Sequence, residues 1–379
     1  MSVMQVFLLF RVRKACFLIF REKVVKSLYM KENKYKKSSP ARVPLWLPYL
    51  QEISSKKDVF DFKFNGGEVE TSLDKVSSIM IYGDSDTDLS VKTIDKIARA
   101  GVPIIIHRRT MNQPIYIIGG ARPDPDDTLT FQLRKRSEPR FANAIARQLL
   151  FAKFQSMKYL VDPRILPKFT NVSKLRNIEA QHAREYWDKW FRELGHPEWT
   201  RRGKNPASVA LDAQSKFISG IILRWITYHH LSPYHGFLHE PTDYPSLVYD
   251  LMEPFRGIFE AEILRQWKVG GVDPKNFLGS AINITKDMLD EKVYIPLTRQ
   301  IVTRQEMLHG IVLSLKFYFL GRQKKFLIPL PGKPNGGRPA KVEFFLYGRH
   351  AGKTDFWVQA KEVHKKSENR EISSEKSEV

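Results

Sequence analysis

A chain of 379 residues has length enough for two domains and a buried core, and its 62 Lys and Arg against 41 Asp and Glu, a formal net charge of +21, favour a polyanionic partner, nucleic acid first and an anionic membrane surface second. The single cysteine, Cys16, excludes an internal disulfide framework and a cysteine zinc ribbon, which points to a reducing cytoplasm. Residues 1–40 hold ten basic and two acidic residues and the tail from Gly321 thirteen and seven, so the middle keeps only +7 of the charge and any basic groove there is local.

The opening "MSVMQVFLLFRVRKACFLIFREKVV" is apolar but broken by Arg11, Arg13 and Lys14, so no run approaches the roughly 18 apolar residues of a membrane span. Residues 1–40 read as a basic extension from an over-extended gene start, with Met30 opening the working protein. The alternative is an amphipathic helix on a membrane surface. No membrane-spanning segment is expected.

Residues 41–135 read as a β-rich domain. "VFDFKF" alternates Phe60, Phe62 and Phe64, "NGG" is a hairpin turn, and "SSIMIYG" and "VPIIIHRR" are apolar runs. One helix, Leu89 to Ala100, interrupts them and stops at Gly101. The apolar faces of this small sheet exceed what that helix covers, which predicts a homodimer through the β-domain. Residues 136–320 carry helical periodicity in "RFANAIARQLLFAKFQSM", "NIEAQHAREYWDKWFREL", "PASVALDAQSKFISGIILRWITYHH" and "RQIVTRQEMLHGIVLSLKFYFL" and read as an all-α domain. The fold class is therefore α+β, a small N-terminal β-domain followed by a larger helical one. Residues 321–379 form a basic, Pro- and Gly-rich tail with strand-like "VEFFLYG" and "DFWVQAKEV", its last roughly 15 residues disordered. Its lysines and arginines, Arg322 among them, predict a grip on a DNA backbone or, alternatively, a solvated hairpin.

The chemistry lies in "YHGFLHEPTDYPSLVYDLMEPFR". Buried charge costs several kcal/mol, roughly, unless paired, so a stretch this rich in carboxylates and histidines is either a metal site or a salt-bridged surface. Leu247, Leu251, Phe255 and Ile258 recur at helical spacing, which sets Asp250 and Glu253 on a neighbouring face, and Pro254 predicts a kink there. His239 precedes them in a loop that can fold back over the helix. Glu179, with Ala183, Tyr186 and Trp190 on its side of a helix, is the best third ligand. One imidazole with two or three carboxylates suits manganese or magnesium better than structural zinc. By themselves these residues equally allow a Glu179 paired with Arg176 and a hydrogen-bonded structural His239, with His235 the decoy on the same loop.

In that order, "LRNIEAQHAREYW", "GFLHE" and "PSLVYDLMEPFR", downstream of "IMIYG" and "ARAGVPIIIHRR", resemble the CRISPR-associated integrases of the Cas-one (Cas1) family, over roughly Phe60 to Leu320. The resemblance implies a dimerising β-domain and a helical domain whose Mn²⁺ or Mg²⁺ site is formed by Glu179, His239 and Glu253, with Asp250 beside them as a second carboxylate that orients His239 or a water. It implies a metal-dependent DNA endonuclease and integrase that inserts spacer fragments into a CRISPR repeat by 3′-hydroxyl attack. The implied partners are double-stranded DNA, a second copy, and a small Cas-two type subunit in a heterohexamer. Residues 1–40 and the tail are not required by that family. Arg201, Arg202 and Lys204 in "TRRGKNP", with Arg256, are the expected phosphate contacts. The alternatives are a casposase-like transposon integrase, a catalytically dead DNA-binding scaffold and, because "EAQH" and "EMLH" are both E-x-x-H, a ferritin-like di-iron protein using Glu179, His182, Glu306 and His309.

Overall fold

The computed structural model describes residues 42–337, apart from 86, 109–110, 112, 120–122 and 169–170. The N-terminal extension and the strand-like segments of the tail lie outside the described residues.

The strands come first. β1 (Val43–Pro48), β5 (Val76–Tyr82), β6 (Ile104–His107) and β7 (Ile115–Ile117) form a mixed sheet in the order β1-β5-β6-β7, with β1, β5 and β6 parallel and β7 antiparallel to β6. β2 (Leu50–Lys56), β3 (Val59–Phe64) and β4 (Gly67–Ser72) form an antiparallel meander. "VFDFKF" is β3, Phe60 and Phe62 are buried as alternation requires, and the expected turn follows at Asn65 and Gly66, where φ is +112°. Helix α1 (Val91–Arg99), capped by Ser90, covers one side of the first sheet with Ile97.

β5 is buried throughout, Ser77 and Ser78 included, because both its faces are covered. Val76, Ile79 and Ile81 face a small core with Phe60, Phe62 and Ile97, whereas Met80 and Tyr82, with Trp46 of β1, join the large core of the helical region. The helices that follow are α2 (Thr128–Ser137), α3 (Pro139–Ser156), α4 (Val172–Glu193), α5 (Pro206–Tyr228), α6 (Ser246–Lys268), α7 (Phe277–Asp290) and α8 (Arg304–Phe319). Helix α5 lies on the second face of the sheet. Arg224, itself buried, donates to the carbonyls of Ser77, at 3.4 Å, and Gly101, at 3.0 Å. The sheet face expected to be left bare is thus covered within the chain, and the physical argument for a dimer through that face does not hold.

Two further details differ from the sequence reading. β8 (Lys292–Ile295) and β9 (Gln300–Thr303) form a small hairpin between α7 and α8, with strands of four residues each, too short to show a period of two against helical surroundings. The start of the tail is packed rather than free: Phe326 is buried, Gln323 donates to Ser314 Oγ at 2.8 Å, and Arg322 is ion-paired with Asp126. Among the described residues no helix is long and apolar enough to cross a membrane.

A Cβ on Gly220 of α5 would stand 2.6 Å from Ile105 Cδ1 and 2.9 Å from Ser78 Oγ. Gly220→Val is therefore expected to lower stability by about 1–3 kcal/mol in urea unfolding. An unchanged midpoint would contradict this close packing of helix on sheet.

Candidate active site

Helix α6 presents Asp250, Glu253, Arg256, Gly257 and Glu260 at spacings of three and four, on one face. The helix runs through Pro254 without interruption, although the proline withholds the N–H that the Asp250 carbonyl would otherwise accept. Helix α3 packs against this face at Gly257, where a Cβ would come within 2.6 Å of the Ser156 carbonyl oxygen. One turn earlier on each helix, Lys153 of α3 meets Glu253 of α6.

Lys153 sits at the centre. Its Nζ donates to Glu179 Oε1 of α4 at 2.6 Å and lies 2.6 Å from Glu253 Oε2, while the lysine is only 5% exposed. The second contact is an ion pair of the same length, so the one ammonium serves an oxygen of each glutamate. Arg256 donates to Glu253 Oε1 at 2.9 Å and its Nε stands 3.4 Å from Glu260 Oε1. Glu260 in turn accepts from the Tyr186 hydroxyl at 2.8 Å, and the Tyr186 and Tyr159 hydroxyls are 2.5 Å apart. Burial opposes ionisation of Glu253, but the charges of Arg256, Lys153 and His239 prevail and hold its carboxyl well below the usual range.

The histidine enters from the loop between α5 and α6. Asp250, fully buried, accepts from the backbone N–H groups of Phe237 at 2.5 Å, Leu238 at 2.9 Å and His239 at 2.9 Å, and pairs with His239 Nδ1 at 2.7 Å. Four donors on one carboxylate fix the loop and leave Nε2 as the ring nitrogen available to a ligand. Burial works against a charged His239, yet the hydrogen bond and charge of Asp250, with Glu253 and Glu179 behind it, raise its pKa above the ordinary 6.5. The glycine of "GFLHE" is required here, since a Cβ on Gly236 would lie 2.5 Å from the His239 carbonyl and 2.8 Å from Asp250 Oδ2. Helix α2 braces the loop from outside: Arg136 donates to the carbonyl of Gly236 at 2.9 Å and Gln132 to that of Ser232 at 3.0 Å.

Glu179, His239, Asp250 and Glu253 are thus brought to one place. Among the described residues, no three His, Cys, Asp or Glu side chains stand close enough to form a ready-made metal site, and the Lys153 ammonium lies between Glu179 and Glu253. The donor chemistry nevertheless fits a divalent ion. The four carboxylates Glu179, Asp250, Glu253 and Glu260 face the fixed cations Lys153 and Arg256 and the imidazole of His239, so even with His239 charged the cluster is short of one positive charge.

The expected phosphate contacts fare differently. Arg201 is tied to Asp212 at 2.7 Å and lies 5.3 Å from the centre of the Trp187 ring, so it anchors its loop to α5 instead of facing solvent. Arg256 is committed to the two glutamates of α6. Arg202 and Lys204 are exposed, in the loop ahead of α5. Glu179 is paired with Lys153, not Arg176. His235 bonds Ser232 Oγ at 2.6 Å, away from the cluster. The di-iron pairing fails, because the Glu306 carboxylate accepts from the Thr303 backbone in a capping box at 2.8 Å while His309 packs on His229 at 2.7 Å.

Lys153, Glu260 and the α2 brace were not found from sequence. A signal for Lys153 existed: it follows Ile145 and Leu149 at spacings of four, on a buried stripe where a lysine demands a partner.

Residues 163–284 match the sequence model of the family described as CRISPR associated protein Cas1. A CRISPR-associated endonuclease Cas1 of Pyrobaculum aerophilum is 26% identical over 151 residues, 38% of this chain and 49% of the relative, so the chain spans about half the length of that curated protein. Among solved structures, a casposase bound to integration product is similar with a TM-score of 0.64 at 17% identity, over 85% of this chain and 99% of that one. A CAS1 protein from Thermotoga maritima gives 0.62 at 18%, over 76% and 99%. The Cas6-RT-Cas1--Cas2 complex gives 0.62 at 16%, over 77% and 36%. At such identities the likeness establishes the fold.

Asp250→Ala strands three backbone donors and one imidazole in the interior. It is expected to cost about 3–5 kcal/mol in chemical denaturation. A loss below about 1 kcal/mol would contradict the role of Asp250 as the anchor of the histidine loop.

Proposed function

We propose that the protein belongs to the Cas1 family, whose sequence model residues 163–284 match, and is a metal-dependent DNA endonuclease and integrase of CRISPR adaptation, which inserts spacer fragments into the repeat array. The observation that carries this reading is the convergence of Glu179, Glu253 and an oriented His239 on one buried position short of positive charge. In this reading the three side chains hold Mn²⁺ or Mg²⁺, and Asp250 fixes the imidazole from behind. The bound ion would neutralise charge developing on the phosphodiester and align the attacking hydroxyl.

The rest follows from the protein's own groups. The 3′-hydroxyl of the fragment attacks a repeat phosphodiester, forming one P–O bond and releasing the 3′-hydroxyl of the broken strand. Arg256 and Glu260 keep Glu253 in place while this proceeds, and Asp250 keeps the His239 tautomer constant. Arg202 and Lys204 contact DNA phosphates outside the site. A homodimer acting with a small Cas-two type subunit in a heterohexamer is the assembly proposed; the likeness of the fold to the Cas6-RT-Cas1--Cas2 complex supports the Cas2-type partner alone. A casposase-like integrase would run the same chemistry on transposon ends, and it is favoured only by the shared fold.

Glu179→Ala, His239→Ala and Glu253→Ala should each reduce Mn²⁺-dependent joining of a labelled duplex to a repeat-containing plasmid by at least about 100-fold, whereas His235→Ala should change it only slightly. Undiminished joining by any of the three would sink the reading, and joining only to transposon ends would transfer it to the casposase class. For the DNA contacts, combining Arg202→Ala with Lys204→Ala should flatten the slope of log affinity against log salt by about one to two units. An unchanged slope would remove that loop from the interface.

A further inference from the structure

A metal site of two carboxylates and an imidazole has no use for a lysine, yet Lys153 is the most central residue of this cluster. Its Nζ is 2.6 Å from an oxygen of each glutamate, not far outside the roughly 2.1 Å at which Mg²⁺ holds a carboxylate oxygen. An ammonium and a divalent ion cannot occupy that point together, since two cations sharing the same oxygens would lie almost in contact. The two contacts are equal in length, so one ammonium bridges an oxygen of each glutamate. Finally, Lys153 has a flexible four-carbon stem able to swing aside, unlike Arg256, which is pinned between Glu253 and Glu260.

We propose that Lys153 is a resident counter-ion. It holds Glu179 and Glu253 together in the metal-free protein and gives up that position when a divalent cation enters, so ammonium and metal compete for one pair of carboxylates. This rests on the site reading given under Proposed function. It explains why the three ligands stand close without forming a finished site: in the metal-free state the cluster is closed around a different cation. The device prevents two neighbouring carboxylates, Glu253 buried and Glu179 nearly so, from repelling each other before metal arrives, at the cost of weaker metal binding.

The test is Mn²⁺ titration of the full chain, following the signal of the free aqueous ion by electron paramagnetic resonance, for wild type, Lys153→Met, Lys153→Arg and Glu179→Gln. Removing the competitor should tighten Mn²⁺ binding about tenfold or more in Lys153→Met, Lys153→Arg should leave it weak, and Glu179→Gln should abolish it. Equal or weaker binding by Lys153→Met, with wild type binding and Glu179→Gln not, overturns the exchange and leaves the site intact. Wild-type binding that Glu179→Gln does not disturb, or no binding at all, overturns the site reading itself. A second measurement needs no variant: reductive methylation of wild type, read at Lys153 by mass spectrometry, should run several-fold faster with Mn²⁺ bound. An unchanged or slower rate would mean that the ammonium stays between the glutamates.

Discussion

The structure of the candidate site depends on one buried contact, the bridge of Lys153 between Glu179 and Glu253. It ties α3, α4 and α6 together at the point where their carboxylates would otherwise repel. Breaking a buried pair on one side typically costs about 3–5 kcal/mol, because the partner is left charged without water. The surroundings are arranged around that constraint. Gly257 lets the helices approach closely enough for the lysine to reach, Arg256 and Glu260 fix the second oxygen of Glu253, and Tyr186 secures Glu260 from α4.

The histidine loop is a second, largely independent device. Asp250 collects three backbone N–H groups and the imidazole, so a loop without regular structure is held by a helix residue it folds over. Gln132 and Arg136 close it from the other side. Rigid support of this kind sets the direction of a ligating nitrogen before any ligand arrives, which is how a first coordination shell is usually made dependable.

Much of this was legible in the sequence, and the gaps have physical causes. Period-two alternation in β3, the Asn65-Gly66 turn and the helical stripes of α3 to α6 are local signals, and they identified their elements. Glu179, His239, Asp250 and Glu253 were singled out because ligand-capable side chains on apolar faces are costly and therefore informative, and the structure brings them together. Pairings between distant segments were not legible. Nothing near Arg201 announces Asp212, and Arg256 reads as a surface cation until Glu260, one turn on, is seen to share it. The cover that α5 gives the sheet is equally non-local, and it removed the argument for a dimer face.

The central claim is that this cluster is a divalent-cation site. Crystals grown without metal and soaked in Mn²⁺, measured at the manganese absorption edge, test it directly. The account predicts one strong anomalous peak roughly 2.2 Å from the carboxylates of Glu179 and Glu253 and from His239 Nε2, with the Lys153 side chain moved away. No peak at that position, with Lys153 still lying between the two glutamates, would contradict it.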